Sequence, residues 1–408
     1  MDVLRVGFIG SGFIAGFMTQ AMTAVRGVDI TAICNPNIEG AKRLATRCEA
    51  LGFERPAVYG SIHDMISGGS VDAVWVINPN NMRLETIRAV VEETKQGRQD
   101  LVGVCCEKPL GRTADEAEEM LRLVESAGLL HGYLENQVFA PGLVKGRDSA
   151  WSYGAQATGR PYLARAAEEH SGPHMPWFWD PIRSGGGVLL DMGCHSIEAG
   201  RFMLTDPKKL KSSLEPLEVQ ATIAGLKWSR EPGITQLRER FGVDYSKAPA
   251  EDYASVLVRY NAEEEEVIGE ARMSWCYTGP GLRLSFELLG PEYSLSSNSL
   301  QQELNIFLGR NVAAEASEDF IEKQAAEQGL IPVIADEAAA YGYVAECRHM
   351  VDAFNRGVMP RENWHDGLLI TRLMMLAYKS AEERRALRFN DDAVRGYRPK
   401  VAEGKWNP

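Results

Sequence analysis

The sequence predicts an α/β chain in two parts: a parallel sheet covered by helices on both faces, then a domain built on an antiparallel sheet. Three observations predict it. Short β-branched runs alternate with amphipathic helical stretches as far as about Phe139, the pattern of strands joined by crossover helices. Beyond that point strand-like runs follow one another across turns such as Gly279-Pro280-Gly281 and Gly290-Pro291, which suits antiparallel neighbours. The first strand also runs directly into a glycine-rich turn and a helix.

In chain order, residues 4–10 read as a strand, 14–25 as a helix, 28–34 as a strand and 38–51 as a helix. A buried strand follows at 71–77, a helix at 83–95 and a strand at 101–106. The helix at 114–126 places Ala117, Leu121 and Val124 three or four residues apart on one face. A further strand-like run covers 130–134. In the second part the expected strands are 160–168, 217–228, 254–260, 267–275, 282–289 and 303–308. The acidic run 263–266 falls between two of them and reads as a solvated turn. Tyr343, Val344, Cys347, Met350, Val351 and Phe354 mark a helical face stopped by Gly357, and a last helix covers 368–386. These spans divide the chain into domains 1–138 and 139–408, with the last helices as candidates to fold back on the first domain. Residues 229–252 read as an insertion between strands.

The chain has 408 residues, of which 45% are hydrophobic and 25% charged, a globular composition that excludes a largely disordered chain. Forty-four Lys+Arg against 56 Asp+Glu give a formal charge of −12, which opposes attraction to nucleic acid or anionic lipid. Seven cysteines without a CxxC pair suit reduced thiols better than a disulfide or zinc framework. No apolar run approaches the ~18–20 residues of a spanning helix, and structured-looking sequence from Val3 leaves no room for a secretory signal. The expectation is a cytoplasmic protein that binds neither nucleic acid nor membrane and carries no metal.

The first strand feeds Gly10-Ser11-Gly12-Phe13-Ile14-Ala15, a GxGxxA turn between strand and helix. Gly10 permits the tight turn, Gly12 lets backbone approach a pyrophosphate, and Ala15 allows close helix–strand packing. The helix N-terminus then offers unpaired N–H groups to the phosphates. At the end of the second strand Asn35 stands about where an acid usually grips the adenosine ribose. Asn35 still bonds a ribose hydroxyl but repels a 2′-phosphate less than a carboxylate does. No Arg follows immediately, Arg43 being the nearest. This favours NAD, with NADP possible.

The strand before Glu107-Lys108-Pro109 directs Lys108 at a strand's carboxyl end, where cofactor and substrate meet in such sheets. Pro109 biases Lys108 away from helix. Further on, Gly185-Gly186-Gly187 precede an apolar helix that carries Asp191 and His195 four residues apart, on one face. A carboxylate beside an imidazole suits proton transfer near neutral pH.

GxGxxA, then Glu107-Lys108-Pro109, then GGGxxxDxGxH together resemble the glucose–fructose oxidoreductase/inositol dehydrogenase/rhizopine-catabolism (Gfo/Idh/MocA) family. The likeness extends to Ile77-Asn78-Pro79-Asn80 and to the closing Ala377-Tyr378-Lys379-Ser380-Ala381-Glu382. It implies a Rossmann dinucleotide-binding domain and a C-terminal α/β domain on an open, mainly antiparallel sheet whose outer face makes a homodimer or homotetramer. It also implies an NAD(P)-dependent oxidoreductase acting on a hydroxyl of a carbohydrate or cyclitol. On that resemblance Lys108 sits beside the nicotinamide and polarises the reacting oxygen, Asp191 holds substrate hydroxyls, and His195 is the general base. The cofactor set is Gly10, Gly12, Phe13, Ile14, Asn35, Asn78, Pro79, Asn80, Glu107 and Lys108. Two positions depart from the family pattern: Leu84 stands where many members place a His, and Glu198 replaces the usual Asp.

The loop from His170 to Asp180 holds His170, His174, Trp177, Phe178 and Trp179 just before the glycines. Aromatic faces stack on sugar C–H surfaces, so the loop is either a sugar platform or an aromatic anchor on the core. Pro173 argues against a helix that would make His170 and His174 metal ligands. Arg183 fits an anionic substituent or a surface ion pair, and Asn136 follows the strand at the domain junction, where it can line a cleft. Cys105, Cys106 and Cys194 read as packing residues. Two rival readings share these residues: a redox-assisted glycosidase or lyase with recycled NAD, and a non-catalytic NAD-binding regulator.

Overall fold

The computed structural model describes residues 3–302, 304–308 and 329–408. The chain forms two compact units, 1–140 with 341–371 and 141–340 with 372–408.

The first unit carries six strands, β1 (Leu4–Ile9), β2 (Val28–Cys34), β3 (Ala57–Tyr59), β4 (Ala73–Val76), β5 (Gly103–Glu107) and β6 (Leu130–Leu134). Their order is β3-β2-β1-β4-β5-β6, and every neighbouring pair is parallel. Crossovers run through α1 (Phe13–Met22), α2 (Ile38–Ala50), α3 (Ile62–Ser67), α4 (Arg83–Lys95) and α5 (Ala114–Ser126). Ala73-Val74-Trp75-Val76 is buried throughout, as a strand covered on both faces must be. Asn37, Ser61 and Thr113 cap α2, α3 and α5 with their side-chain oxygens. The strand order reverses beside β1, so the ends of β1 and β4 form the switch point at which such sheets bind ligands. The helix Tyr343–Asn355 lies against α1, β1 and β6, and its Phe354 ring meets Trp75 edge-on at 5.8 Å.

The second unit is built on a seven-stranded sheet in the order β12-β11-β7-β10-β9-β8-β15. Its strands are β7 (Leu163–Glu169), β8 (Glu215–Ala224), β9 (Tyr253–Ala262), β10 (Glu265–Ser274), β11 (Arg283–Leu289), β12 (Ser294–Asn298) and, after the pair β13 (Asn305–Leu308) and β14 (Gly329–Pro332), β15 (Leu387–Arg388). Its helices include α6 (Pro141–Ser149), α7 (Ala155–Thr158), α8 (Pro181–Ser184), α9 (Val188–Leu204) and α10 (Gly233–Phe241). All pairings in the large sheet are antiparallel except β7 with β10. Helix α9 covers one face, against β10, β7, β9 and β11.

Several expectations change here. The strand expected over 217–228 ends at Ala224, because the buried carboxylate of Asp252 accepts the N–H groups of Leu226, Lys227 and Trp228 at 2.7, 2.9 and 2.6 Å and turns the backbone. The second sheet itself is mainly antiparallel, as expected, with β7–β10 a parallel pair within it. The insertion at 229–252 contains α10, on which Ile234, Leu237 and Phe241 recur at helical spacing. Strand β3 and helix α3 are too short to show a period. The acidic turn holds Glu263 and Glu264 at φ 60° and 75°, the geometry a two-residue hairpin needs. Of the strand expected at 303–308, Glu303 lies outside the described residues.

The three glycines are explained by close approach. A Cβ on Gly187 would stand 2.2 Å from the Glu251 carbonyl oxygen, and one on Gly186 would stand 2.2 Å from the Tyr378 hydroxyl. Gly200, inside α9, has nothing within 4 Å of the same position. Gly187→Ala is therefore expected to destabilise by about 1–3 kcal/mol or more, and Gly200→Ala to stabilise by about 0.5–1 kcal/mol. Denaturant unfolding measures both, and equal effects would refute the packing account.

Candidate active site

The first unit's candidate residues gather at the carboxyl ends of β1, β2, β4 and β5. Gly10 has φ +119°, and a Cβ there would stand 2.7 Å from the Ile77 carbonyl oxygen, so only glycine lets the turn lie against the end of β4. Gly12 caps α1 with no side-chain hydrogen bond, and the first turn of α1 holds no acid. A Cβ on Gly12 would meet nothing within 4 Å. A helix start with neither a side-chain cap nor an acid in its first turn fits the pyrophosphate of a dinucleotide. Phe13 and Ile14 follow, half-buried, with Phe13 leaning on Phe17 at 5.5 Å. Asn35 donates its amide to Ser11 Oγ at 2.5 Å and accepts the Asn37 N–H at 2.9 Å, which joins the first two strand–helix turns.

Asn78, half-buried Pro79 and Asn80 leave β4, with Asn78 donating to Thr86 Oγ1 at 2.7 Å. Glu107 ends β5 with its carboxylate accepting the Lys108 N–H at 3.1 Å. A residue the sequence analysis passed over joins these two turns. The buried guanidinium of Arg83 donates to the Asn78 carbonyl at 3.2 Å and to the Pro109 carbonyl. Its signal was visible: a cation in the first turn of a helix opposes the dipole and needs another purpose.

Behind Lys108 the first unit buries acids. Burial pushes Glu107 up to about 7, against the opposing pull of Lys108 and Arg83. Burial likewise pushes Glu135 up to about 8, again opposed by Lys108. Glu346, on the helix Tyr343–Asn355, is raised well above the ordinary range by burial, with Glu107, Glu135 and Glu362 adding to it. Asn136, expected to line the cleft, is buried and donates its amide to the Tyr341 carbonyl at 2.8 Å.

In the second unit, the N–H groups that open α9 are occupied. Glu251 accepts those of Gly187 at 3.0 and 3.2 Å and of Leu189 at 3.0 Å, and Tyr378 donates its hydroxyl to the same carboxylate at 2.6 Å. That anchorage places Asp191 and His195 one turn apart, 8% and 4% exposed. The Trp275 indole N–H donates to Asp191 Oδ2 at 3.3 Å. The carboxylate of Glu168, at the end of β7, stands 4.0 Å from His195 Nε2. Glu168 is a second residue missed; the polar run Glu168-Glu169-His170 at a buried strand end was its trace. His170 is buried and accepts the Gly172 N–H on Nδ1 at 2.9 Å, which leaves its proton on Nε2 when neutral. Glu198, the departure from the family acid, is fully buried in a two-bond pair with Arg201 at 2.6 and 2.7 Å.

The aromatic loop divides. Trp179 is an anchor: 1% exposed, it touches Trp228, Trp275, Phe241 and Tyr245 and donates to the Pro173 carbonyl at 2.8 Å. With His174 it also lines a cleft of about 460 Å³. Trp177 stacks on Phe178 at 3.8 Å. Arg183 is exposed on α8.

Two family models match the chain. One, described as an oxidoreductase family with an NAD-binding Rossmann fold, covers residues 4–133, and the other, the GFO/IDH/MocA C-terminal domain, covers 154–296. The chain belongs to the Gfo/Idh/MocA family. Myo-inositol 2-dehydrogenase of Thermotoga maritima is 22% identical over 398 residues, 95% of this chain and 99% of that protein. The 1,5-anhydro-D-fructose reductase of Ensifer adhaerens is 27% identical over 211 residues, but the match spans 50% of this chain and 57% of the reductase. Among solved structures, GenD2 from gentamicin A biosynthesis, in complex with NAD, is 23% identical with a TM-score of 0.77 over 96% of this chain and 97% of that one. At that identity the likeness is one of fold. No helix among the described residues is long and apolar enough to cross a membrane.

Two outcomes follow for the first unit of this family member. Gly12→Ala is expected to hold stability within about 1 kcal/mol while weakening NAD binding by about tenfold or more, read by calorimetry beside thermal unfolding; unchanged binding would remove Gly12 from the cofactor set. A carboxyl whose folded pKa is raised keeps its proton while the unfolded chain loses it, so stability falls as pH rises from about 4.5 through the folded value. Glu107, Glu135 and Glu346 all act in this sense. Glu346→Gln is expected to melt closer to, or above, the parent as pH is raised from about 5 to about 8. A constant gap in melting temperature across that range would show Glu346 ionised in the fold.

Proposed function

We propose that the chain is an NAD(P)-dependent oxidoreductase acting on a hydroxyl of a sugar, sugar derivative or cyclitol, with NAD preferred. The observation that carries the reading is one buried turn of α9, where Asp191 and His195 stand with Glu168 4.0 Å from the ring. The names of the family relatives, an inositol dehydrogenase, a D-glucoside 3-dehydrogenase and xylose dehydrogenases among them, support the substrate class. The turn at Gly10–Gly12 and the uncapped start of α1 support a dinucleotide, and the neutral Asn35 is the reason NADP stays open.

A bound nicotinamide supplies the hydride acceptor. Loss of hydride from a carbinol carbon requires loss of its hydroxyl proton, and His195, with Glu168 steadying the ring, accepts that proton. The Lys108 ammonium stabilises the negative charge developing on the oxygen. Asp191, fixed by the Trp275 indole, orients substrate hydroxyls. Arg83 is a positioning residue, since it holds the turn that carries Lys108.

A panel of D-glucose, D-xylose, methyl glucosides and myo-inositol with NAD and with NADP tests the proposal through the absorbance of the reduced nicotinamide. At least one substrate is expected to reduce NAD, and His195→Ala and Lys108→Met each to lower kcat by about 10²-fold or more. Full activity in both variants would overturn the assignment. Glycoside cleavage without accumulation of NADH would replace it with the redox-assisted glycosidase.

A further inference from the structure

The cleft beside Trp179 lies wholly within the second unit, and the proposed reaction does not use it. Its volume of about 460 Å³ falls within the range of small-molecule sites. Half-buried Trp228 and Phe241 supply the accessible aromatic part of the lining, with Trp179, 1% exposed, packed against both, and Gln236, Glu239 and Arg240 of α10 supply another part. Gln236 and Arg240 are one helical turn apart and exposed, so they share a face.

The aromatic wall is rigidly placed. Asp252, fully buried, accepts the N–H groups of Leu226, Lys227 and Trp228, and the Trp228 indole donates to the Trp275 carbonyl at 2.8 Å. Trp179 and Trp228 meet edge-on, with centroids 5.1 Å apart. The same wall reaches the reacting groups: Trp179 touches Trp275 at 5.0 Å, and Trp275 donates to Asp191.

The chemistry of the lining narrows the ligand. Aromatic surface suits the C–H faces of a pyranose ring. An amide, a carboxylate and a guanidinium together offer donors and acceptors to hydroxyls. The Glu239 carboxylate and the Arg240 guanidinium cancel in charge, and His174 adds a further polar ring to the lining. We propose that the cleft binds a second, non-reacting glycosyl ring, so that the preferred substrate is a glycoside of at least two rings rather than a free monosaccharide. This rests on the proposed oxidoreduction for its reacting end, while the cleft itself is read by binding. The α10 segment, which a simple hairpin between β8 and β9 would not need, is its specificity element.

The test compares maltose, cellobiose, trehalose and sucrose with D-glucose and methyl glucoside, on the full chain with NAD present. Calorimetry gives affinity and reduced-nicotinamide absorbance gives kcat/KM. At least one disaccharide is expected to bind about tenfold more tightly than the monosaccharides. Trp228→Ala and Arg240→Ala are each expected to abolish that advantage, and Arg240→Ala to leave monosaccharide binding and kcat/KM within about twofold. Arg240 is exposed, so its variant keeps the test valid where loss of Trp228 disturbs folding. Equal affinity for one and two rings, or equal losses for both in the variants, would overturn the cleft proposal and leave the oxidoreduction standing. Disaccharide binding that depends on Trp228 and Arg240 without any NAD reduction would support the cleft and overturn the oxidoreduction.

Discussion

The Glu251 carboxylate occupies the N-terminus of α9, and the placement of Asp191 and His195 follows from that contact. A helix start leaves N–H groups without intrahelical partners. Here three of them are bound from inside the protein, Gly187 and Leu189 by the Glu251 carboxylate and Val188 by the Glu251 carbonyl, and the Tyr378 hydroxyl donates to the same carboxylate. Burial pushes Glu251 up to about 7 while these donors pull the other way. The contact demands close approach, so the glycine run exists for the protein's own backbone and side chains. The start of α1 is the converse. It too follows a glycine turn, but no side chain caps it and no acid occupies its first turn. Two glycine-rich helix starts in one chain thus differ in kind, one closed by a resident carboxylate and one without a side-chain cap.

The first unit concentrates buried charge around the turn that carries Lys108. Arg83 is 4% exposed and spends its donors on the carbonyls of Asn78 and Pro109. A guanidinium out of water is costly unless its donors are used, so this arrangement trades stability for a fixed relation between two turns. Glu107, Glu135 and Glu346 show the same pattern with the opposite sign, since burial is the largest cause in each case. Departures of this kind from ordinary burial preferences collect at functional sites more often than in plain cores.

What the sequence made legible was what repeats or what constrains the backbone. The helices Arg83–Lys95 and Ala114–Ser126 were readable to the residue because long amphipathic faces and a threonine cap mark them. The turn at Gly10 was readable because a positive φ and a carbonyl 2.7 Å away admit only glycine. The partners that arrive from distant sequence were not readable. Glu168 reaches His195 from another strand, and Glu251 reaches α9 across the length of β8 and α10. No local period records either. For residues 341–371 the sequence offered only that the last helices are candidates to fold back on the first domain: the apolar face of the helix Tyr343–Asn355 announces burial, but not what it is buried against.

The connection between β8 and β9 shows how such a scaffold can change what it binds without disturbing the reacting groups. The two strands pair from Glu215 opposite Asn261 to Ala224 opposite Tyr253, and β9 continues the ladder with β10 along its whole length. Register in such a sheet is fixed by alternation between faces, and β9 alternates without a break. Asp252 then fastens both ends of the connection by binding the backbone of residues 226–228 beside the last strand pair. Residues 229–250, between Trp228 and the Glu251 that anchors α9, can vary in length and composition while α9, seated on the sheet, keeps Asp191 and His195 in place. A pocket wall on that connection therefore separates the choice of ligand from the placement of the residues proposed to carry the chemistry.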